Sequence, residues 1–342
     1  MAKCSAMVRG EERLSAKTAA LGCAAAISLS LASMGAVLAA DAAKPYPTRS
    51  IRMIVPFAAG GPTDIIGRIV AQRASEILGQ QVHVENMPGA SGNLGVEMAA
   101  RAAPDGYTVL AVSTGFAINP ALYARLKYDP LKNFAPITLV AASPNVIMAA
   151  PSLPVKTLEE LIALIKANPG KYSYAQPATG STPHLAGELL KQAYGLDLVT
   201  VPFNGAAPAI NSTLGGYTPI AITALPPAIG NIKNGGVRGI ALLAKARSPE
   251  LPDLPTSGES GVPDLDSDTL TGLVAPGGTP PEIVDRWYHV VAQTVAEPAI
   301  KQRLDQLGFD PVADTPAEFS ERIKSELARW GKVIRTANIH MD

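Results

Sequence analysis

From Ile51 to Ile66 the chain reads IRMIVPFAAGGPTDII, a β-rich run that breaks into a Gly/Pro loop and starts a helix. Strand, tight loop and helix in that order commit the region to an α/β layer, because such a unit buries its apolar faces only by packing helix on sheet. The main-chain N–H groups of the loop converge, so it can hold an anion through backbone dipoles. Neither GxxxxGK[ST] nor GxGxxG is present in this stretch, which excludes a nucleotide P-loop and a dinucleotide fingerprint and turns the expected anion from phosphate to a small carboxylate.

Residues 1–40 read as a secretory signal. Lys3, Arg9, Arg13 and Lys17 form a basic start, an Ala/Leu-rich run follows from Thr18, and Val37-Leu38-Ala39-Ala40 supplies small residues before a cut near residue 40. A membrane anchor over Ala19 to Ala40 is the competing reading, disfavoured by its Ala-rich composition and small-residue end. Ala20-Leu21-Gly22-Cys23 is only a weak lipoprotein box, since few apolar residues separate Lys17 from Cys23. Cys4 and Cys23 are the only cysteines and both fall in the signal, so the exported chain carries no thiol, disulfide or cysteine metal site.

The chain has 342 residues, 47% of them hydrophobic and 17% charged, which is enough to fill two packed domains. It holds 29 basic and 29 acidic residues, and loss of the signal's four basic and two acidic ones leaves a net charge of about −2. That balance gives no footprint for nucleic acid or anionic lipid.

Short Val/Ile/Ala/Thr-rich runs alternate with helical stretches, the pattern of mainly parallel sheets flanked by helices. Strands are expected at 51–56, 82–85, 108–112 and 137–142, with a helix from 62 to about 78 burying Ile65, Ile66, Ile69, Val70 and Ile77. A long β-like segment to Ala149 crosses into a second lobe with strands at 172–175, 198–201, 219–223 and 238–243. Helices near 157–168, 183–194, 206–214 and 226–234 alternate with these strands. The Pro- and Ser-rich segment 244–264 returns the chain, and a strand at 269–275 with two late helices rejoins the first lobe. The reading is a signal at 1–40, a first lobe at 41–142 and 247–342, a second lobe at 143–246, and two hinge strands. Thr157/Glu160, Thr279/Glu282 and Thr315/Glu318 fit capping boxes, and Phe319, Ile323, Leu327, Trp330 and Ile334 form a core stripe on the last helix.

The opening motif's design recurs at Ser113–Pro120, Thr179–His184, Asn204–Pro208 and Thr223–Pro227, each a strand end, a small-residue loop and a helix start. In doubly wound sheets ligands sit beyond the strand carboxyl ends, so a cleft between lobes collects all five loops. Ala59, Gly60 and Gly61 leave the main chain of Phe57–Thr63 open to close approach, whereas Asp64 more readily serves its own helix start. In Ala178-Thr179-Gly180-Ser181-Thr182-Pro183-His184, Thr182 is the expected N-cap, leaving Ser181 and the loop amides to donate to an anion. His184 is as much a packing or capping residue as a ligand contact. A Ser181/His184 hydrolase is the alternative, but no GxSxG elbow surrounds Ser181 and no third residue is evident. His83, His184, His289 and His340 are scattered without HExxH or a DxDxDG loop, and no redox motif occurs, so neither metal nor cofactor is expected.

VPFAAGGPTD at 55–64, ENMPGASGNLG at 85–95, PDGYTVL at 104–110, YDPLKNFAPITLV at 128–140, HLAGELL at 184–190, VPFNGAAPA at 201–209 and PDLPTSGESGVP at 252–263 resemble the Bug or TctC-like receptors of tripartite tricarboxylate transporters. The resemblance runs from about Tyr46 to the C-terminus. It implies a two-lobed periplasmic binding protein, type II-like, that closes over one small carboxylate and delivers it to a two-component membrane permease, without catalysis. It further implies that Phe57, Ala58, Ala59, Gly60, Thr63 and Asp64, with Thr179, Gly180, Ser181, Thr182 and His184, hold a carboxylate. Residues matching Ser113, Thr114, Asn204, Gly205 and Ala206 would complete the pocket. The chain departs from the family's usual polar residues at Thr218, Thr223, Ala224 and Pro183, and has Phe203-Asn204 in place of Tyr-Lys, so a less polar aliphatic or aromatic carboxylate is expected over an amino acid. The expected molecule is therefore an exported, monomeric receptor, with a sensor subunit for a membrane signalling partner as a further alternative.

Overall fold

The computed structural model describes residues 46–341; the expected signal and both cysteines lie outside them. Residues from Arg49 onward form one compact unit, and of the segment before it Tyr46–Thr48 is described, with a cis Tyr46–Pro47 peptide.

Among the described residues ten strands form one continuous sheet: β1 (Ile51–Val55), β2 (Val82–Asn86), β3 (Thr108–Ser113), β4 (Phe134–Ala149), β5 (Ser173–Gln176), β6 (Val199–Pro202), β7 (Ile220–Ala224), β8 (Arg238–Leu243), β9 (Asp268–Pro276) and β10 (Asp310–Pro311). The order is β2-β1-β3-β9-β4-β7-β5-β6, with β8 and β10 also paired to β4. β1 runs parallel to β2 and β3, and β5 runs parallel to β6 and β7. β4 and β9 run antiparallel to their neighbours, so two parallel groups meet at an antiparallel seam and the sheet as a whole is mixed.

β4 makes that seam possible. Phe134–Pro144 pairs with β9, whereas Asn145–Ala149 pairs with β7 and β8. The switch falls just after Pro144, which has no N–H to give to a ladder and is tolerated where pairing changes hands. β9 leaves the same point, since Asn145 N–H donates to Ser267 O at 2.8 Å.

The helices are α1 (Pro62–Leu78), α2 (Asn93–Ala100), α3 (Gly115–Leu122), α4 (Leu158–Lys166), α5 (Thr182–Tyr194), α6 (Ala206–Leu214), α7 (Ile229–Lys233), α8 (Pro281–Ala296), α9 (Pro298–Gln306) and α10 (Pro316–Ala337). α1 buries Ile66, Ile69, Val70, Ala74 and Leu78, while Ile65 and Ile77, expected inside, are only half-buried. Three late helices stand where two were expected, because Pro298 starts a new helix directly after α8. Thr315 and Glu318 form the full capping box, and Thr157 caps α4. Thr279 does not cap α8: its hydroxyl turns back to Pro276 O at 2.7 Å and Pro280 takes the cap position.

Each parallel group has its own core. Ile54, Leu110, Phe116, Phe134 and Phe319 pack on the β1–β3 side, and Ile147, Leu161, Ile165, Tyr174 and Leu190 pack on the β5–β7 side. A third cluster joins them: Leu185 of α5 packs with Ile118 and Leu122 of α3 and with Trp330 and Ile334 of α10. The stripe on α10 is therefore core as expected, with Trp330 fully buried. Among the described residues no helix is long and apolar enough to cross a membrane.

Candidate functional site

The carboxyl ends of β1, β3, β5, β6 and β7 each lead through a short loop into a helical segment. At three of these helix starts, Gly61 for α1, Thr114 for α3 and Gly205 for α6, the N-cap residue makes no side-chain cap, although Ser113 Oγ accepts the Gly115 N–H of α3. An uncapped start leaves first-turn N–H groups for a ligand or water and carries the positive end of the helix dipole. Ala58, Ala59 and Gly60 before α1, and Asn204 before α6, are exposed, which presents the main chain itself.

In the first loop the Asp64 carboxylate accepts from Gly60 N at 2.8 Å, Asn86 Nδ2 at 2.8 Å and Arg68 Nε at 3.0 Å. Asn86 Nδ2 also donates to Phe57 O at 3.0 Å. Burial of Asp64 works against its ionised form, yet the bonds from Arg68, Gly60 and Asn86 prevail and hold its pKa below the usual value of 3.8. Its charge is thus engaged in bracing the loop, and both Thr63 and Asp64 are buried.

Beside this loop, Gly89, Ala90, Ser91 and Gly92 all have positive φ. Ala90 and Ser91 lack glycine's freedom and pay about 1–2 kcal/mol each for that conformation. Tyr123 Oη donates to Ser91 Oγ at 2.8 Å and Asn119 Nδ2 to Ser91 O at 3.3 Å, which holds the turn. A Cβ on Gly92 would lie 3.2 Å from the Phe57 ring, so the strained turn abuts the first loop. Sequence reasoning gave this segment no role, although its glycine-flanked small residues in PGASGN mark an unusual backbone.

The second group contributes two loops stitched together: Phe203 N donates to Gln176 O and Gly205 N to Pro177 O, each at 2.8 Å. Ser181, not Thr182, is the N-cap of α5, its hydroxyl accepting from His184 N at 3.4 Å. The expected assignment fails because Thr182 already has helical geometry and its hydroxyl lies 2.9 Å from that of Thr269 on β9. Ser181 Oγ also lies 3.4 Å from Gln176 Oε1, so its hydroxyl is engaged rather than free.

His184 is buried, and its Nδ1 accepts the Gly180 N–H at 2.9 Å. Burial, outweighing the nearby Glu188 carboxylate, lowers its pKa below 6.5, so the ring is neutral with the proton on Nε2. Ser181 meets the His184 main chain and not its ring, an arrangement that does not pair nucleophile with base. Thr114 is buried and anchored by Leu270 N at 2.8 Å, Gly115 N donates to Ser113 Oγ at 3.2 Å, and the Thr223 hydroxyl donates to Ala224 O at 3.0 Å. The main chain of Ala58–Gly60 and of Asn204 is exposed, the Gly60 and Gly205 N–H groups are taken by Asp64 and Pro177 O, and the side chains of Asp64, Thr114, Thr182, His184 and Thr223 are engaged within the protein. No group of three or more potential metal-ligating His, Cys, Asp or Glu side chains occurs among the described residues. The two groups touch directly where a Cβ on Gly180 would lie 2.3 Å from Leu122 Cδ1.

Protein BugT of Bordetella pertussis is 34% identical over 313 residues, 91% of this chain and 96% of its own. A structure of an R. palustris protein with adipate superposes at a TM-score of 0.79 with 34% identity, covering 86% of this chain and all of the other. MatC of Rhodopseudomonas palustris with bound malate superposes at 0.74 with 31% identity, covering 84% of this chain and all of the other. The model of the tripartite tricarboxylate transporter family receptor matches residues 66–339. The chain belongs to that receptor family, the TctC family, and has the periplasmic binding protein fold.

Proposed function

We propose that this chain is a periplasmic receptor, exported by a signal cleaved near residue 40, that captures a small carboxylate between two lobes and delivers it to a two-component membrane permease. The observation that carries the reading is the first loop, where the Asp64 charge is engaged by Gly60, Asn86 and Arg68 while the start of α1 has no side-chain cap and the main chain of Ala58 and Ala59 is exposed. Charge-assisted hydrogen bonds contribute about 1.5–3 kcal/mol each, so four at the upper end of that range can reach the ~8 kcal/mol of micromolar binding after ordering costs. The relatives solved with adipate and malate support a carboxylate as the solute class.

The lobes would be residues 41–142 with 247–342, and residues 143–246, closing about the β4 and β9 crossings as a monomer. Only the closed form lets both loop sets contact the solute, so binding favours closure. With Thr223 and Ala224 in place of acidic or amide groups at the carboxyl end of β7, that end offers no anionic partner for an ammonium, and the solute is a weakly polar aliphatic or aromatic carboxylate; Thr218 lies at the other end of β7, bonded to Ser212, and takes no part. Thermal-shift measurements on the mature chain test this. Adipate or benzoate at one hundred times its Kd adds about 2.7 kcal/mol of stability. No response to any carboxylate, or an amino acid as the best ligand, rejects the reading.

A further inference from the structure

Gln176 ends β5 at the root of the second-group loops and is fully buried. Its Oε1 accepts the Ala178 N–H at 2.7 Å and lies 3.4 Å from Ser181 Oγ. Its main-chain O accepts the Phe203 N–H, so this one residue is tied to both loops. The other end of the carboxamide, Nε2, is buried and has no hydrogen-bond partner. Turning the amide over cannot rescue it, because Nε2 would then face the Ala178 N–H, donor against donor. Ser257 and Thr271 also leave buried hydroxyls unpaired, but neither belongs to the five loops.

A buried amide donor is normally satisfied by protein or ordered water, and an exception at a binding loop points to a missing acceptor. The acceptor side of this carboxamide is occupied by the loop itself, so what remains is a donor fixed beneath Ala178–Ser181. We infer that Gln176 Nε2 donates to the captured carboxylate, directly or across one ordered water, and that it selects an acceptor group over an ammonium at this end of the solute. This assignment rests on the carboxylate-receptor reading. It makes Gln176 a side-chain reader among loops that otherwise offer main-chain amides.

Gln176→Glu tests it, since the variant keeps one oxygen for Ala178 and Ser181 and replaces Nε2 by a second oxygen. By titration calorimetry with adipate and with malate, affinity at neutral pH is expected to fall about tenfold to a hundredfold, the loss of one charge-assisted bond. It should recover towards the parent value as the pH falls and the glutamic acid regains a proton to donate, a response that a merely structural role would not produce. Gln176→Met, which cannot donate and also gives up the acceptor for Ala178, should lose at least as much affinity without the pH rescue, and parent-like affinity in it counts against the assignment even if the glutamate variant does not fold. Parent-like affinity in both variants overturns the assignment alone. A parent chain that binds neither these nor other carboxylates overturns the receptor reading and this inference with it.

Discussion

The Asp64 carboxylate accepts the Gly60 main-chain N–H at 2.8 Å, closing the first loop onto the helix that follows it. The same side chain holds Asn86, which in turn holds Phe57 O, so the loop is fixed from both ends by one buried anion. Asp64→Ala leaves the Gly60 N–H without its acceptor and the Asn86 amide with Phe57 O alone. A loss of about 3–6 kcal/mol is expected from two charge-assisted bonds, with half-exposed Arg68 adding little. Urea denaturation measures it, and a change below about 0.5 kcal/mol, the usual size for an unimportant surface site, would show that Asp64 does not brace the loop.

Gly60 and Gly180 separate conformational cost from steric cost. Both have positive φ, +86° and +79°, but a Cβ at Gly60 meets nothing within 4 Å whereas one at Gly180 meets Leu122 at 2.3 Å. Gly60→Ala should lower stability by the left-handed penalty alone, about 1–2 kcal/mol. Gly180→Ala should lose more, because Leu122 must also move out of a packed cluster. Leu122→Ala placed on top of Gly180→Ala relieves the clash, so the double variant should be more stable than additivity predicts. Equal losses at the two glycines in thermal melts would contradict the contact.

Much of this arrangement is legible from residue pattern, and the illegible part has a common cause. The run from Ile137 to Ala149 announces a long strand, and GGPTD announces the start of α1, because apolar periodicity and proline position are local signals. The antiparallel seam is not local: β4 and β9 are more than a hundred residues apart, and nothing in either strand states its direction relative to the other. At the site, Thr182 looks like the cap because Pro183 follows it, but the bond to Thr269 on a distant strand decides the matter for Ser181. Gln176 gives no signal at all, since its importance lies in one unpaired atom that only packing creates.

His184 predicts a pH dependence of known sign. Its Nδ1 must be unprotonated to accept the Gly180 N–H, and its folded pKa is lowered below 6.5, chiefly by burial. The folded state therefore binds fewer protons than the unfolded state between the lowered value and 6.5. This contribution to stability is complete above that window and is lost as the pH falls through it. His184→Asn keeps an acceptor for Gly180 without a titrating ring and should flatten this part of the curve. Denaturation midpoints at several pH values compare the two, and parallel curves would remove His184 as the cause.

At the seam, Asn145 Nδ2 donates to Ser267 Oγ at 2.7 Å, and Thr269 Oγ1 donates to Asn145 Oδ1 at 3.4 Å. With the Thr269 proton committed to Asn145, the hydroxyl of Thr182, 2.9 Å away, is the donor to Thr269. Ser267 Oγ completes the circuit by donating to Thr182 O at 3.4 Å. Both crossings and the start of α5 therefore share one hydrogen-bond network at the seam between the two strand groups. Asn145→Ala should cost about 1–3 kcal/mol by orphaning its partners, and Thr182→Val, which keeps shape and removes the donor, about 1 kcal/mol. Because the residues belong to one circuit, the double variant should lose less than the sum, with a coupling of about 0.5–3 kcal/mol. Strict additivity in the denaturation cycle would mean that the two side chains act independently, and the seam would then be held by its main-chain pairing alone.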